Sequence, residues 1–293
     1  MPKLALRLLF AALFAAVSTL AIAQTVAPAS NSTYAAPMNF FQKWQNRAAA
    51  TQALQPKWPA PVIAPFPMLV QLYRFDGTRQ ISPTHATTWN LGTTKGLALI
   101  PLQRTEIDIY VPPFFEHDNA TADGFGDFSV SGKYRVLSAN EKSGNYIFSG
   151  LVSATIPTGS YKNGVSDATV TPGISGGKGF GKFDAFTTLG GTLPVGNVRT
   201  LGRSINSNTV FQYHVFKYAW PEFEINSTSY YGSTKDGKIQ TFLSPAVIFG
   251  RFPAHPKDKT NRLGFVAGAG FQTSATHYHA YNHALIFTGR ITF

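Results

Sequence analysis

Histidines are the first residues to test for chemistry, because imidazole serves both as a metal ligand and as a general base. Three crowd one stretch, Thr276-His-Tyr-His-Ala-Tyr-Asn-His283. In an extended chain His277 and His279 point to one side, whereas a transition metal needs three or four converging ligands. His277, His279 and His283 are therefore weak metal candidates, and a polar aromatic lining is the simpler use for them. Serine is plentiful, yet there is no G-x-S-x-G elbow and no histidine at a recognisable spacing from a serine. Gly176-Gly177-Lys178-Gly179 is glycine-rich, but no helix follows to supply the dipole of a phosphate site. With no cysteine in the chain, thiol catalysis, cysteine-ligated zinc and disulfides drop out together. Neither an enzyme nor a cofactor is expected.

More systematic are polar and charged residues at alternate positions: Glu106 and Asp108, then Asp127, Lys133 and Arg135, then Asp184, His214, Glu222, Glu224 and Lys238. Successive side chains of a strand point to opposite faces, so this parity gathers the named groups onto one face. If that face lines a closed sheet, charges of both signs meet inside it. Two uses are open. Rings of charge select solutes, because a narrow low-dielectric wall focuses their field. Alternatively, opposite charges pair across neighbouring strands and hold a small barrel shut.

The elements that would position these groups show period two from about residue 66 onward. Phe128/Val130/Gly132/Tyr134/Val136 alternates with Ser129, Ser131, Lys133 and Arg135, and Tyr146/Phe148/Gly150/Val152/Ala154/Ile156 alternates with Ser149, Ser153 and Thr155. Strands of a soluble sandwich run about five or six residues. These run about ten, the length a tilted strand needs to cross a hydrocarbon core, so the apolar face meets lipid and the polar face lines a lumen. No unpaired edge is tolerated in lipid, and the sheet must close. Spans at roughly 67–76, 86–94, 105–112, 126–137, 145–157, 168–178, 183–195, 208–219, 221–233, 238–250, 261–274 and 281–293 predict an all-β fold, a single antiparallel transmembrane β-barrel of about 12 strands. Pro67, Pro83, Pro101 and Pro112-Pro113 interrupt the first three. Composition agrees: charged residues make up only 13% and mean hydropathy is -0.04. With no long apolar run beyond the N-terminus, a bundle of membrane helices is excluded and a barrel is not.

The N-terminus reads as an address. Lys3 and Arg7 precede a nearly all-apolar Leu8 to Leu20, and Ala21-Ile22-Ala23 has a small-x-small pattern, so residues 1–23 are expected to be a signal peptide cleaved after Ala23. Losing Lys3 and Arg7 lowers the formal charge from +11 to 11 − 2 = +9. No zinc motif or basic helix accompanies that charge, which points away from nucleic acid and toward anionic headgroups or solutes. Residues 24–65 form a Pro/Ala-rich periplasmic extension, in which Phe40, Phe41, Trp44 and Ala48 give 38–54 a helical spacing. A helix on the periplasmic end of the barrel is expected in preference to a plug entering the lumen. The barrel itself spans 66–293. Short links such as 138–144 alternate with longer ones such as 158–167, which puts the short ones on the periplasmic side. Leu285, Phe287 and Ile291 share a face with Phe293, as in the recognition strand of bacterial outer-membrane barrels. That likeness implies contact with the barrel-assembly machinery, outer-membrane lipid and lipopolysaccharide.

Gly124-Phe-Gly-Asp127, Lys133-Tyr134-Arg135, Ile156-Pro157-Thr158-Gly159-Ser160, Pro172-Gly173 and Gly177-Lys178-Gly179 appear in the order found in the outer-membrane family associated with the MetA pathway of phenol degradation. The chain resembles that family over roughly residues 95 to 293. The resemblance implies a porin-like transporter of the Gram-negative outer membrane, for passive uptake of small solutes of aromatic or hydrophobic character. A closed barrel with a structural or surface-binding role is the alternative. The extension before residue 66 lies outside the shared pattern.

Overall fold

A computed structural model describes residues 38–293 apart from 94, 161, 259 and 260, so the expected signal peptide at 1–23 lies outside the described residues. The described residues open with α1 (Phe40–Ala53) and continue through β1 (Leu72–Ile81), β2 (Thr87–Leu91), β3 (Gly96–Leu102), β4 (Thr105–Tyr110), β5 (Phe114–His117) and β6 (Gly124–Phe125). Longer strands follow: β7 (Phe128–Ala139), β8 (Tyr146–Ile156), β9 (Thr169–Phe180), β10 (Phe183–Pro194) and β11 (Arg203–Tyr213). The last are β12 (Ala219–Tyr231), β13 (Ile239–Pro253), β14 (Gly264–Ser274) and β15 (His283–Thr292).

Twelve antiparallel strands close the wall in the order β1-β3-β4-β7-β8-β9-β10-β11-β12-β13-β14-β15, and β15 returns to β1 from Leu72↔Thr292 to Ile81↔His283. The expected number of strands is met with different members at its start. The span expected at 86–94 contributes no stave; its β2 joins β5 and β6 in an outer flap paired to Gly77–Ile81 of β1. The missing stave is β3, which meets β1 only at Leu72↔Ala98 and Tyr73↔Leu97. Pro101 had argued against a strand there, but it lies where the β3–β4 register shifts between Leu99 and Leu102, and a bulge needs no ladder donor.

Alternation sorts the rest by face. Ile107, Phe148, Val152, Ile174, Leu189, Phe265 and Phe287 are exposed on the outside. An apolar band that wraps the molecule far exceeds the patches a water-soluble monomer shows, and it matches lipid. The inner residues Arg74, Asp76, Glu106, Lys133, Glu224 and Arg290 are buried. Register shifts break the rule, one between Arg135 and Leu137 leaving Val136 and Leu137 both exposed and another between Gly250 and Phe252 leaving Arg251 and Phe252 both exposed.

The largest apolar cluster lies inside the barrel and draws on residues that precede β1. Trp58 stacks on Phe186 at 6.0 Å, Phe66 meets the same ring edge-on at 5.7 Å, and Met68, Ile147 and Val210 complete the group. The helix α1 sits where the short links are, taken as the periplasmic end. Its Thr51 carbonyl accepts from Arg135, and Arg262 in the 254–263 link donates to the Gln45 carbonyl at 3.3 Å and to Gln52 Oε1 at 2.8 Å. Burial, and then the Arg251 guanidinium, bring Arg262 down to about 10, so it stays cationic at neutral pH.

Candidate functional site: a lumen filled by residues 55–71

The helix α1 stays at the end with the short links, and after it the chain enters the lumen. An extended segment without a strand partner must still satisfy its backbone polar groups. Pro56, Pro59, Pro61, Pro65 and Pro67 remove five of its N–H donors at source. Gln55 spans the loop, donating to the Leu69 carbonyl at 2.8 Å and accepting from the Leu69 N–H at 3.1 Å.

The barrel wall satisfies several of the others. Glu222 accepts the Val62 N–H at 2.8 Å, Glu224 accepts the N–H groups of Ile63 and Ala64 at 2.7 and 2.8 Å, and Glu106 accepts the Val70 N–H. Cations take the carbonyls. Arg290 donates to Ala60 and to Pro61 (2.8 Å), Arg74 to Val62 at 2.5 Å, Lys133 to Met68 at 3.0 Å and Lys95 to Ile63 at 3.3 Å. Neutral donors finish the circuit: Gln212 to Pro59, Ser149 to Pro67 and Thr188 to Pro65. Contacts therefore come from β1, β4, β7, β8, β10, β11, β12 and β15, most of the circumference. Each charge-assisted bond contributes roughly 1.5–3 kcal/mol, and the same grip neutralises the cost of burying the charge.

Pairing between wall charges accompanies the grip. Lys133 lies 2.5 Å from Glu106, and Arg74 presents two nitrogens to Asp76. Asp108 accepts the Tyr110 hydroxyl at 3.2 Å. Asp184 is bonded to Asn145, whose Oδ1 accepts the Trp58 indole at 3.0 Å. Arg135 donates to the Thr51 and Gln103 carbonyls and to Gln55.

Glu106, Asp108, Lys133, Arg135, Asp184, Glu222 and Glu224 thus lie on the inner wall, and His214 continues that face, while Asp127 and Lys238 do not. Parity carries no information past the end of a strand, where Asp127 and Lys238 lie. Asp127 precedes β7 and accepts the Gly159 and Val165 N–H groups at 2.8 and 2.7 Å, folding the outer link 157–168. His214, just beyond β11, keeps the inward parity of Gln212 and stacks at 4.4 Å on Trp220, which packs against the lumen cluster of Val62, Ile248 and Ile286. Lys238 is exposed in the turn before β13, 4.7 Å over the Tyr278 ring. Among the histidines, His279 spends both ring nitrogens on the Thr276 carbonyl and Asn282, and His283 stacks on Phe271. His277 lines a recess at the outer mouth. Among the described residues no group of three or more histidines, cysteines or carboxylates is placed to hold a metal. Arg74, Asp76 and Arg290 escaped the sequence reading although their i, i+2 spacing with Leu72 and Thr288 carried the same signal. Lys95, in a link, gave none.

Two of the family-like motifs meet in the structure. Besides the Asp127 contacts, the Phe128 N–H donates to Thr158 Oγ1 at 2.9 Å and the Ser160 N–H to the Phe125 carbonyl at 2.8 Å. A Cβ on Gly159 would come within 2.9 Å of the Asp127 carboxylate, so only glycine fits this approach.

On the outer side of the lumen segment a cavity of about 330 Å³ remains, walled by Asp108, Tyr110, Ser131, Ser153, Asn206 and Thr228 and floored by Ala64, Pro65 and Phe66.

A closed antiparallel barrel with an apolar exterior and a charged, filled interior has the architecture of a membrane-spanning β-barrel. In fold the chain is similar to the COG4313 outer membrane channel from Pseudomonas putida F1, with a TM-score of 0.54 and 14% identity over 80% of this chain and 99% of that one. No family model and no curated protein matches the sequence, so the likeness to the MetA family rests on its motifs.

Proposed function

We propose that this chain is an outer-membrane channel through which small solutes, aromatic or otherwise apolar, pass down their gradient, and that residues 55–71 hold it closed at rest. One observation carries the proposal. The lumen segment is attached by side-chain to backbone hydrogen bonds and not by strand pairing, so it can leave while the wall stays intact. Likeness in fold to an outer membrane channel supports the transport role. The MetA-like motifs direct it toward aromatic solutes. On this reading the exterior sits among outer-membrane lipid and lipopolysaccharide, export uses the signal peptide expected at residues 1–23, and β15 engages the assembly machinery.

A closed barrel with a structural or surface-binding role is the second reading, favoured by the paired Lys133–Glu106 and Arg74–Asp76 inside the lumen. Uptake of labelled phenol by porin-depleted Gram-negative cells separates the two. Cells carrying the chain are expected to take up phenol several-fold faster than cells without it. Equal rates would leave the structural reading in place.

A further inference from the structure

The 330 Å³ cavity is lined by one cation that no carboxylate contacts directly among the described residues. Lys95 makes no ion pair among the described residues, and its recorded bond, to the Ile63 carbonyl, is long at 3.3 Å. The carboxylates nearest to it are committed elsewhere. Asp76 receives the Arg74 guanidinium on both oxygens, and Glu224 holds the Ile63 and Ala64 N–H groups. Arg74 and Arg290 add positive charge to the same side. Glu106 and Asp108, the acids that line the cavity, are engaged by Lys133 and Tyr110 instead.

An ammonium with N–H donors left over, facing a pocket, attracts an anion more strongly than it would in water. The surface around it is largely apolar: Ala64, Phe66, Val70, Leu72 and Leu151 line the same space. The volume is at the lower end of what small-molecule sites enclose and accommodates a one-ring compound. We infer that the cavity is a binding site for a small organic monoanion, a carboxylate on an apolar one-ring body, with the carboxylate on Lys95 and the ring over Phe66 and Leu72. The inference deepens the channel reading by naming a solute class, and rests on it for the solute's purpose.

Isothermal titration calorimetry on the full chain in non-ionic detergent tests the site with three probes. Benzoate carries both features, acetate the charge alone and benzyl alcohol the ring alone. Benzoate is expected to bind at least about tenfold more tightly than either of the others. Lys95→Met should lower benzoate affinity to that of benzyl alcohol, and Lys95→Arg should retain it. Benzoate no tighter than benzyl alcohol, or unchanged in a folded Lys95→Met protein, would overturn the site, and the three-probe comparison stands even if that variant misfolds. Binding in micelles requires no passage. A chain that binds benzoate but admits no phenol into cells loses only its channel reading, and one that admits phenol without binding benzoate loses only this site.

Discussion

Lys133 and Glu106 sit 2.5 Å apart with side chains 7% and 1% exposed, and each also holds a backbone group of the lumen segment. Removing one partner strands the other in a dry wall. Lys133→Met is expected to cost about 3–5 kcal/mol, while Lys133→Met combined with Glu106→Gln should recover most of that loss, because no unpaired charge then remains. Denaturant unfolding of the two variants in micelles measures the difference, and simple additivity would contradict the account. Asp127 works differently, since its carboxylate folds a link and not the lumen. Asp127→Ala should raise hydrogen exchange in 157–168 and leave the barrel strands protected; unchanged exchange there would show that Gly159 and Val165 do not depend on it.

At the scale of elements, Trp58 is the anchor of the lumen segment, stacked on Phe186 and bonded to Asn145. Trp58→Ala removes a buried aromatic contact of the size that costs about 3–5 kcal/mol in a core. Exchange protection of residues 55–71 is expected to fall while β10 and β11 keep theirs, and joint loss would mean that segment and wall unfold together. These elements differed in how plainly the sequence announced them. β8, β9, β10 and β14 were legible because ten or more residues alternate without a break, and β7 because it alternates up to its register shift at Arg135; burial in the structure follows that alternation. The stretch from β1 to β6 was not, because prolines fall at its link ends and at one bulge, and its strands are as short as two residues. Residues 55–71 were the least legible. Residues 55–65 read as part of a Pro/Ala-rich extension and 67–71 as the start of the first strand, and what places them is the set of complementary groups on the wall. Glu222 and Glu224 could be assigned to the inner face from parity, but nothing in their own spacing revealed that their partners would be the N–H groups of Val62, Ile63 and Ala64.

For the molecule as a whole, the wall and its filling are held in different ways: a hydrogen-bonded cylinder and a chain gripped by its inner side chains. The resting pore is therefore expected to be closed, and its opening to depend on the grip and not on the strands. Glu222→Gln with Glu224→Gln weakens that grip selectively, because a glutamine turns an amide N–H toward one of the backbone donors a carboxylate accepts. The most direct test is single-channel recording in planar bilayers, comparing the full chain with this double variant. The unmodified protein is predicted to be silent for most of the recording, and the variant to open repeatedly to one well-defined conductance level. A variant as silent as its parent, although hydrogen exchange shows residues 55–71 released from the wall, would contradict the claim that this barrel conducts through its lumen.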